Sequence, residues 1–170
     1  VPILPDTLEP GLKVVFIGTA ASRRSAAIGA PYAGPGNRFW DILFQAGFTP
    51  RRLEPQEFRT LPQHGIGLTG MAPERVGNDD ILRPGDFDPD GVRAKIERYA
   101  PRVAAFVGKR AAQEFLGRTG LDYGLQADCV GRTAIFVLPS TSGAARRYWD
   151  PAPWHALRAY LDGINADPIE

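Results

Sequence analysis

Lys13-Val14-Val15-Phe16-Ile17-Gly18 is a short apolar run closed by glycine, the pattern of a strand buried on both faces. Val103-Ala104-Ala105-Phe106-Val107-Gly108 and residues 133–138 repeat that pattern, and Ile66-Gly67-Leu68-Thr69 fits a further strand. Between these runs the periodicity changes. Phe39, Trp40, Leu43 and Phe44 recur at helical spacing, with Asn37 as candidate N-cap and Gly47 as candidate stop. Helices are also expected over residues 54–61, 91–99, 109–116 and 151–163, the last with Pro151 near its first turn. Strands alternating with helices, each strand continuously apolar, predict an α/β fold: a three-layer α/β/α sandwich around a short, mainly parallel central sheet.

Residues 1–170 read as one domain, long enough to bury a core, with residues 1–10 as an extended, proline-bearing arm. Lys+Arg at 20 against Asp+Glu at 19 leaves a net charge of +1, so binding to a polyanion has to rest on local patches. Arg23-Arg24, Arg51-Arg52 and Arg146-Arg147 are the candidate patches, or else solvated surface. A single cysteine, Cys129, excludes an internal disulfide and a cysteine-based zinc site, and its apolar neighbours predict a buried thiol. His64 and His155 lack metal-ligand spacing, so no metal and no cofactor are expected. No signal-like segment is present, nor any apolar run near the ~20 residues of a membrane span. The chain is therefore expected to be soluble, cytoplasmic, monomeric and not membrane-bound.

Two segments are unusual. Residues 19–36, rich in Ala, Ser, Gly and Pro, look too broken for a regular element, and residues 70–90 hold several prolines and glycines. Long irregular loops inside a compact domain are usually functional. Ligands of parallel sheets bind at the carboxyl ends of the strands. The loops that begin at Gly18, Gly70 and Pro139 are thus expected to converge on one crevice.

Three motifs lie in these loops: Tyr32-Ala33-Gly34-Pro35-Gly36-Asn37-Arg38-Phe39-Trp40, Gly65-Ile66-Gly67-Leu68-Thr69, and Val137-Leu138-Pro139-Ser140-Thr141-Ser142-Gly143-Ala144-Ala145-Arg146. In order and spacing they resemble the mismatch-specific uracil and thymine DNA glycosylases, from about Pro10 to Leu161. The resemblance implies an enzyme that acts on double-stranded DNA holding a mismatched or damaged base. Such an enzyme flips the nucleotide into a pocket, which costs a few kcal/mol and least at a mismatch. Tyr32 matches the family's stacking aromatic, or else packs on the core. Asn37 either holds the pocket or caps the following helix. Thr19, Ala20, Gly70 and Ser140 fall on base-pocket positions. Ser142, Gly143 and Ala144 match the segment that enters the duplex, where the family often has a bulkier apolar wedge at the position of Ala144, so that Arg146 or a neighbour has to fill the gap. Ser22, Arg23, Arg24 and Lys109 are candidate phosphate contacts.

The chain departs from the family at two places. After the first strand the family reads Gly-Ile-Asn-Pro-Gly, its asparagine positioning the attacking water; here the stretch is Gly18-Thr19-Ala20-Ala21-Ser22, and Ala20 cannot hold water. Either catalysis is lost and only lesion binding remains, or a relocated carboxylate takes over, since glycosidic cleavage passes through an oxocarbenium-like state that a carboxylate stabilises. Glu74, Asp79 and Asp80 are the acids of the second loop, and Asp79 is preferred to Asp80; the alternative is an Asn-Asp turn. Gly70 stands where relatives carry lysine or asparagine, which implies a roomier pocket and a broader substrate range. No lysine stands at the pocket positions, so a Schiff-base lyase step is not expected. A phosphate-binding transferase of the doubly wound class is the competing enzyme, weakened by the absence of a G-x-G-x-x-G or Walker pattern.

Overall fold

The computed structural model describes residues 1–166, with side chains through 164. The four apolar runs form β1 (Val14–Gly18), β2 (Ile66–Gly70), β3 (Val103–Val107) and β5 (Thr133–Leu138). One further strand, β4 (Gly124–Val130), completes a five-stranded sheet in the order β2-β1-β3-β5-β4. All neighbours are parallel except β4, which runs antiparallel to β5. Five α-helices accompany it: α1 (Arg23–Ile28), α2 (Phe39–Gln45), α3 (Pro89–Tyr99), α4 (Lys109–Leu116) and α5 (Ala152–Ala166).

Alternation along the strands divides the core into two layers. Val14 and Phe16 of β1 face a cluster with Phe39, Trp40 and Leu43 of α2 and with Trp154 and Leu157 of α5. Val15 and Ile17 face the other cluster, with Val92 and Ile96 of α3 and Ala111, Ala112 and Phe115 of α4. Helices thus cover both faces, as continuous apolar strands require. Helix α2, which follows β1 and α1, lies on one face and α4, which follows β3, on the other. The two strands are neighbours, so a crevice opens at their carboxyl ends.

Several local expectations need correction. Residues 19–36 are not devoid of regular structure: Ser22 caps α1, its hydroxyl accepting from Ser25 N at 3.1 Å, and Gly29 ends the helix in the left-handed region. β4 was not expected, because its side chains alternate between covered and exposed, as in an edge strand. For the same reason Cys129 is exposed rather than buried. Residues Pro55–His64 form a 3₁₀ helix with Pro62 inside it, where an α-helix was expected over 54–61. The arm pairs along the free edge of β2 through Thr7 and Leu68, closing an edge that would otherwise be open to pairing.

Arg51 and Arg52 are committed to carboxylates, Arg51 to Glu57 and Arg52 to Asp41 and Glu54, so this arginine pair is not available to a polyanion. Hydrogen bonds from Arg51 and from the Glu54 amide hold the Glu57 carboxyl at about 2, below its usual range. The ionised form is therefore favoured in the folded state; the stability it contributes is present above the unfolded value and lost as pH falls towards about 2. The difference in thermal midpoint between the native chain and Glu57→Gln is expected to hold from pH 6 down to about 4.5 and to shrink from there towards about 2. A difference independent of pH would show that Glu57 acts through packing alone.

Candidate active site

Register places Gly18 beside Gly70 at the ends of β1 and β2. Beyond them the two loops run together: Met71 N donates to Gly18 O (2.8 Å), Ala72 N to Thr19 O (3.1 Å) and Gly77 N to Ala21 O (2.9 Å). The third loop is tied to the first by Arg38 N, which donates to Thr141 O at 2.9 Å. The three loops converge on a cavity of about 480 Å³. That is within the range of pockets that enclose whole small-molecule ligands.

The structure brings most of the expected residues to this cavity. Thr19, Ala20, Tyr32, Asn37, Gly70 and Ser140 line it, and so do Ser22, Ser142 and Ala144 at its margin. Both Asp79 and Asp80 reach it, but they differ in setting. Asp80 is exposed, whereas Asp79 is half-buried and its Oδ1 accepts from the Thr19 hydroxyl at 2.5 Å. The Asp79 backbone is also held: the Arg110 guanidinium on α4 donates to Asp79 O (3.4 Å) and Leu82 O (3.1 Å), pairs with Glu114 and lies over the Phe87 ring. Glu74 is exposed on the surface and does not line the cavity.

Tyr32 has φ of +53°, an unusual conformation for a bulky residue, and its ring stacks on Phe39 with centroids 3.9 Å apart. Phe39 is fully buried, so one face of Tyr32 is backed by core. The hydroxyl reaches the end of β1, where a Cβ on Gly18 would lie only 2.8 Å from it. Burial, and secondarily the Asp79 carboxylate, pushes the Tyr32 phenol above its usual range, so it stays protonated at neutral pH.

Asn37 and Gly143 have local roles. Asn37 Oδ1 accepts from Phe39 N at 3.0 Å, which starts α2, while the residue immediately before the helix is Arg38. Gly143 does not line the cavity: a Cβ there would come within 3.0 Å of Pro35 O, so its small size lets the third loop pack on the first. Arg23, Arg146 and Lys109 also lie off the cavity lining. Arg23 and Arg146 are exposed, and the Lys109 ammonium sits over the Tyr123 ring at 4.6 Å. Among the described residues Arg23, Arg24, Arg146 and Arg147 form no ion pair. No three His, Cys, Asp or Glu side chains among the described residues cluster as metal ligands would.

Two contributors were not foreseen. Ile3, Leu4, Pro5 and Asp6 of the arm wall the cavity, fixed by Ile3 N donating to Pro73 O and by Asp6, which pairs with Lys95 at 2.7 Å and accepts from Thr69. Tyr148, at the end of the third loop, also lines it. A run of prolines and a lone tyrosine carry no sequence signal for either.

Gly70 is a matter of space as well as reach. A Cβ there would lie 2.8 Å from the Thr19 carbonyl oxygen, a backbone atom that cannot swing away. Gly70→Ala is therefore expected to cost about 1–3 kcal/mol, an overpacking penalty. At about 2–4 °C per kcal/mol for a chain of this size, the thermal midpoint should fall by roughly 2–12 °C. An unchanged midpoint would show that the strand ends separate freely.

Comparison with known proteins gives two results. The family model described as the uracil DNA glycosylase superfamily matches residues 5–162. The solution NMR structure of a Methanosarcina acetivorans protein, described as a candidate uracil DNA glycosylase, superposes with a TM-score of 0.62 at 21% identity, covering 94% of this chain and 96% of that one. At that identity the likeness is one of fold.

Proposed function

The chain belongs to the uracil DNA glycosylase superfamily, and from that premise we propose that it is a glycosylase acting on DNA that hydrolyses uracil from mismatched duplexes with Asp79 in place of the family's asparagine. One observation carries the reading. The Asp79 carboxylate accepts from the hydroxyl of Thr19, the residue between the end of β1 and Ala20, in the same cavity as Tyr32. The Ala20 methyl packs against the apolar cluster on the α3/α4 side of the sheet, so Asp79 supplies the polar group that this position lacks.

The chemistry follows from that arrangement. The flipped base lies on the free face of Tyr32, whose other face is backed by Phe39. Backbone groups at Thr19, with Asn37 and Ser140, read its edges. Asp79 accepts a proton from water as the water oxygen bonds to the anomeric carbon; the bond from that carbon to the base breaks, and its electron pair leaves with the base. The carboxylate's charge opposes the positive charge that develops on the sugar. Because the Tyr32 phenol stays neutral, it adds no second negative charge beside Asp79. The products are a free base and an abasic site.

The roomy cavity and the bare Gly70 support a range that extends to thymine and other damaged pyrimidines. Arg23, Arg24 and Arg146, free of carboxylates among the described residues, are suited to the phosphates on either side, with Ser22, Ser142 and Ala144 facing the duplex. Lys109, over Tyr123, is a weaker candidate for that role.

Incubation with oligonucleotides that hold uracil opposite guanine, opposite adenine or in a single strand, followed by mass-spectrometric identification of the released base, tests this reading. Free uracil is expected, fastest from the G:U duplex. Release of no base from any substrate overturns it and leaves the lesion-binding alternative that Ala20 favours. Rejection of every lesion except uracil opposite guanine overturns the broad range alone.

A further inference from the structure

Extruding a nucleotide leaves a gap in the base stack, and a side chain that fills it slows return of the base. Ala144 lies on the third loop at the cavity margin, but its side chain is a single methyl. Four residues on, at the end of the 3₁₀ segment Gly143–Tyr148, Tyr148 is 66% exposed and also lines the cavity. Among the described residues, the exposed large apolar side chains that reach the cavity are Ile3 and Tyr148, and of these only Tyr148 offers a flat face.

The backbone beneath it is well fixed. Ser142 Oγ accepts from Ala144 N at 3.2 Å, and Trp149 N donates to Arg146 O at 3.2 Å. The next side chain, Trp149, packs towards Trp154 of the core, with the Arg38 guanidinium 5.5 Å from its ring. An exposed aromatic is therefore presented from a rigid base. The Arg147 guanidinium lies 5.9 Å from the Tyr148 ring centre, and neither Arg146 nor Arg147 is paired with a carboxylate among the described residues. An aromatic face flanked by free cations beside a cavity of about 480 Å³ is an arrangement that stacks on a nucleobase while its neighbours meet phosphates.

We propose that Tyr148, rather than Ala144, stacks into the duplex beside the extruded nucleotide, with Arg146 and Arg147 on the flanking phosphates. The proposal rests on the glycosylase reading above. It makes a prediction that a general structural role does not: Tyr148→Ala costs far more on duplex substrates than on single strands, which have no stack to hold open.

Single-turnover release of uracil should be measured for the native chain, Tyr148→Ala and Tyr148→Phe, on a G:U duplex and on the single strand. Tyr148→Ala is expected to lose about ten- to a hundred-fold on the duplex and at least about five-fold less than that on the single strand, and Tyr148→Phe is expected to keep most of the duplex rate because the stacking face remains. Equal effects on both substrates, or no effect on the duplex, overturn the proposal. A second readout needs no catalysis: 2-aminopurine placed beside an abasic site in a duplex should dim on binding the native chain, as the Tyr148 ring stacks on it, and dim less with Tyr148→Ala. If the native chain releases no base at all, the glycosylase reading fails on its own, and an equal 2-aminopurine response in the two proteins then overturns the role of Tyr148 as well.

Discussion

Asp79→Ala is expected to lower uracil release from a G:U duplex by about a hundred- to ten-thousand-fold, the contribution of a well-placed proton acceptor. The expectation comes from how firmly the carboxylate is placed. Thr19 fixes one oxygen at 2.5 Å, and Arg110 fixes the backbone on either side of the turn that carries it. Asp79→Asn keeps an oxygen for the Thr19 hydroxyl but removes the charge that opposes the oxocarbenium-like state, so it should fall nearly as far as alanine. Asp80 is exposed, and its replacement by alanine should leave the rate within about three-fold. Single-turnover rates together with anisotropy measurements on an abasic duplex separate chemistry from binding. The Asp79 variants should bind the abasic duplex as the native chain does. If Asp80→Ala were inactive and Asp79→Ala active, the catalytic carboxylate would be the wrong one of the pair.

Trp154→Ala should be the most destabilising single change, costing roughly 3–5 kcal/mol. Its side chain is fully buried, stacked on Phe16 at 5.4 Å and edge-on to Phe39 at 6.0 Å. The indole N–H donates to Pro139 O at 3.2 Å, so the same side chain anchors the start of the third loop. Trp154→Phe divides the two contributions. It retains most of the ring packing but leaves a buried carbonyl without its donor, at a cost of about 1–3 kcal/mol. Against a total stability of the order of 5–15 kcal/mol, alanine here removes a large part of the margin. Urea midpoints measure both, and an alanine midpoint close to that of the native chain would contradict the packing described. Because Phe39 backs Tyr32, the alanine variant should also lose activity beyond what its folded fraction explains.

The sequence made the centre of the fold legible and left its margins obscure. β1, β3 and β5 are continuous apolar runs, and such runs point to strands covered on both faces; α4 spans the residues expected for it. β4 is half-covered and alternates, so a search for continuous runs passes over it. α1 has six residues and no apolar period, and its only local signals are the capping residues Ser22 before it and Gly29 after it. At the site, the convergence of three loops followed from strand direction. The Thr19–Asp79 contact joins residues 60 apart, and no local pattern encodes it. The arm that walls the cavity depends on Thr7 pairing with Leu68, which is equally remote in sequence. Gly70 was legible as a missing side chain, but only the geometry shows that the Thr19 carbonyl leaves no room for one.

The central claim, base excision by a carboxylate that replaces the family's asparagine, is tested most directly on one end-labelled G:U duplex. It is incubated with the native chain or with Asp79→Ala, and abasic sites are then opened with alkali. Scission at the uracil position is predicted with the native chain and not with Asp79→Ala. An intact strand after incubation with the native chain, or equal scission by both proteins, would contradict the account.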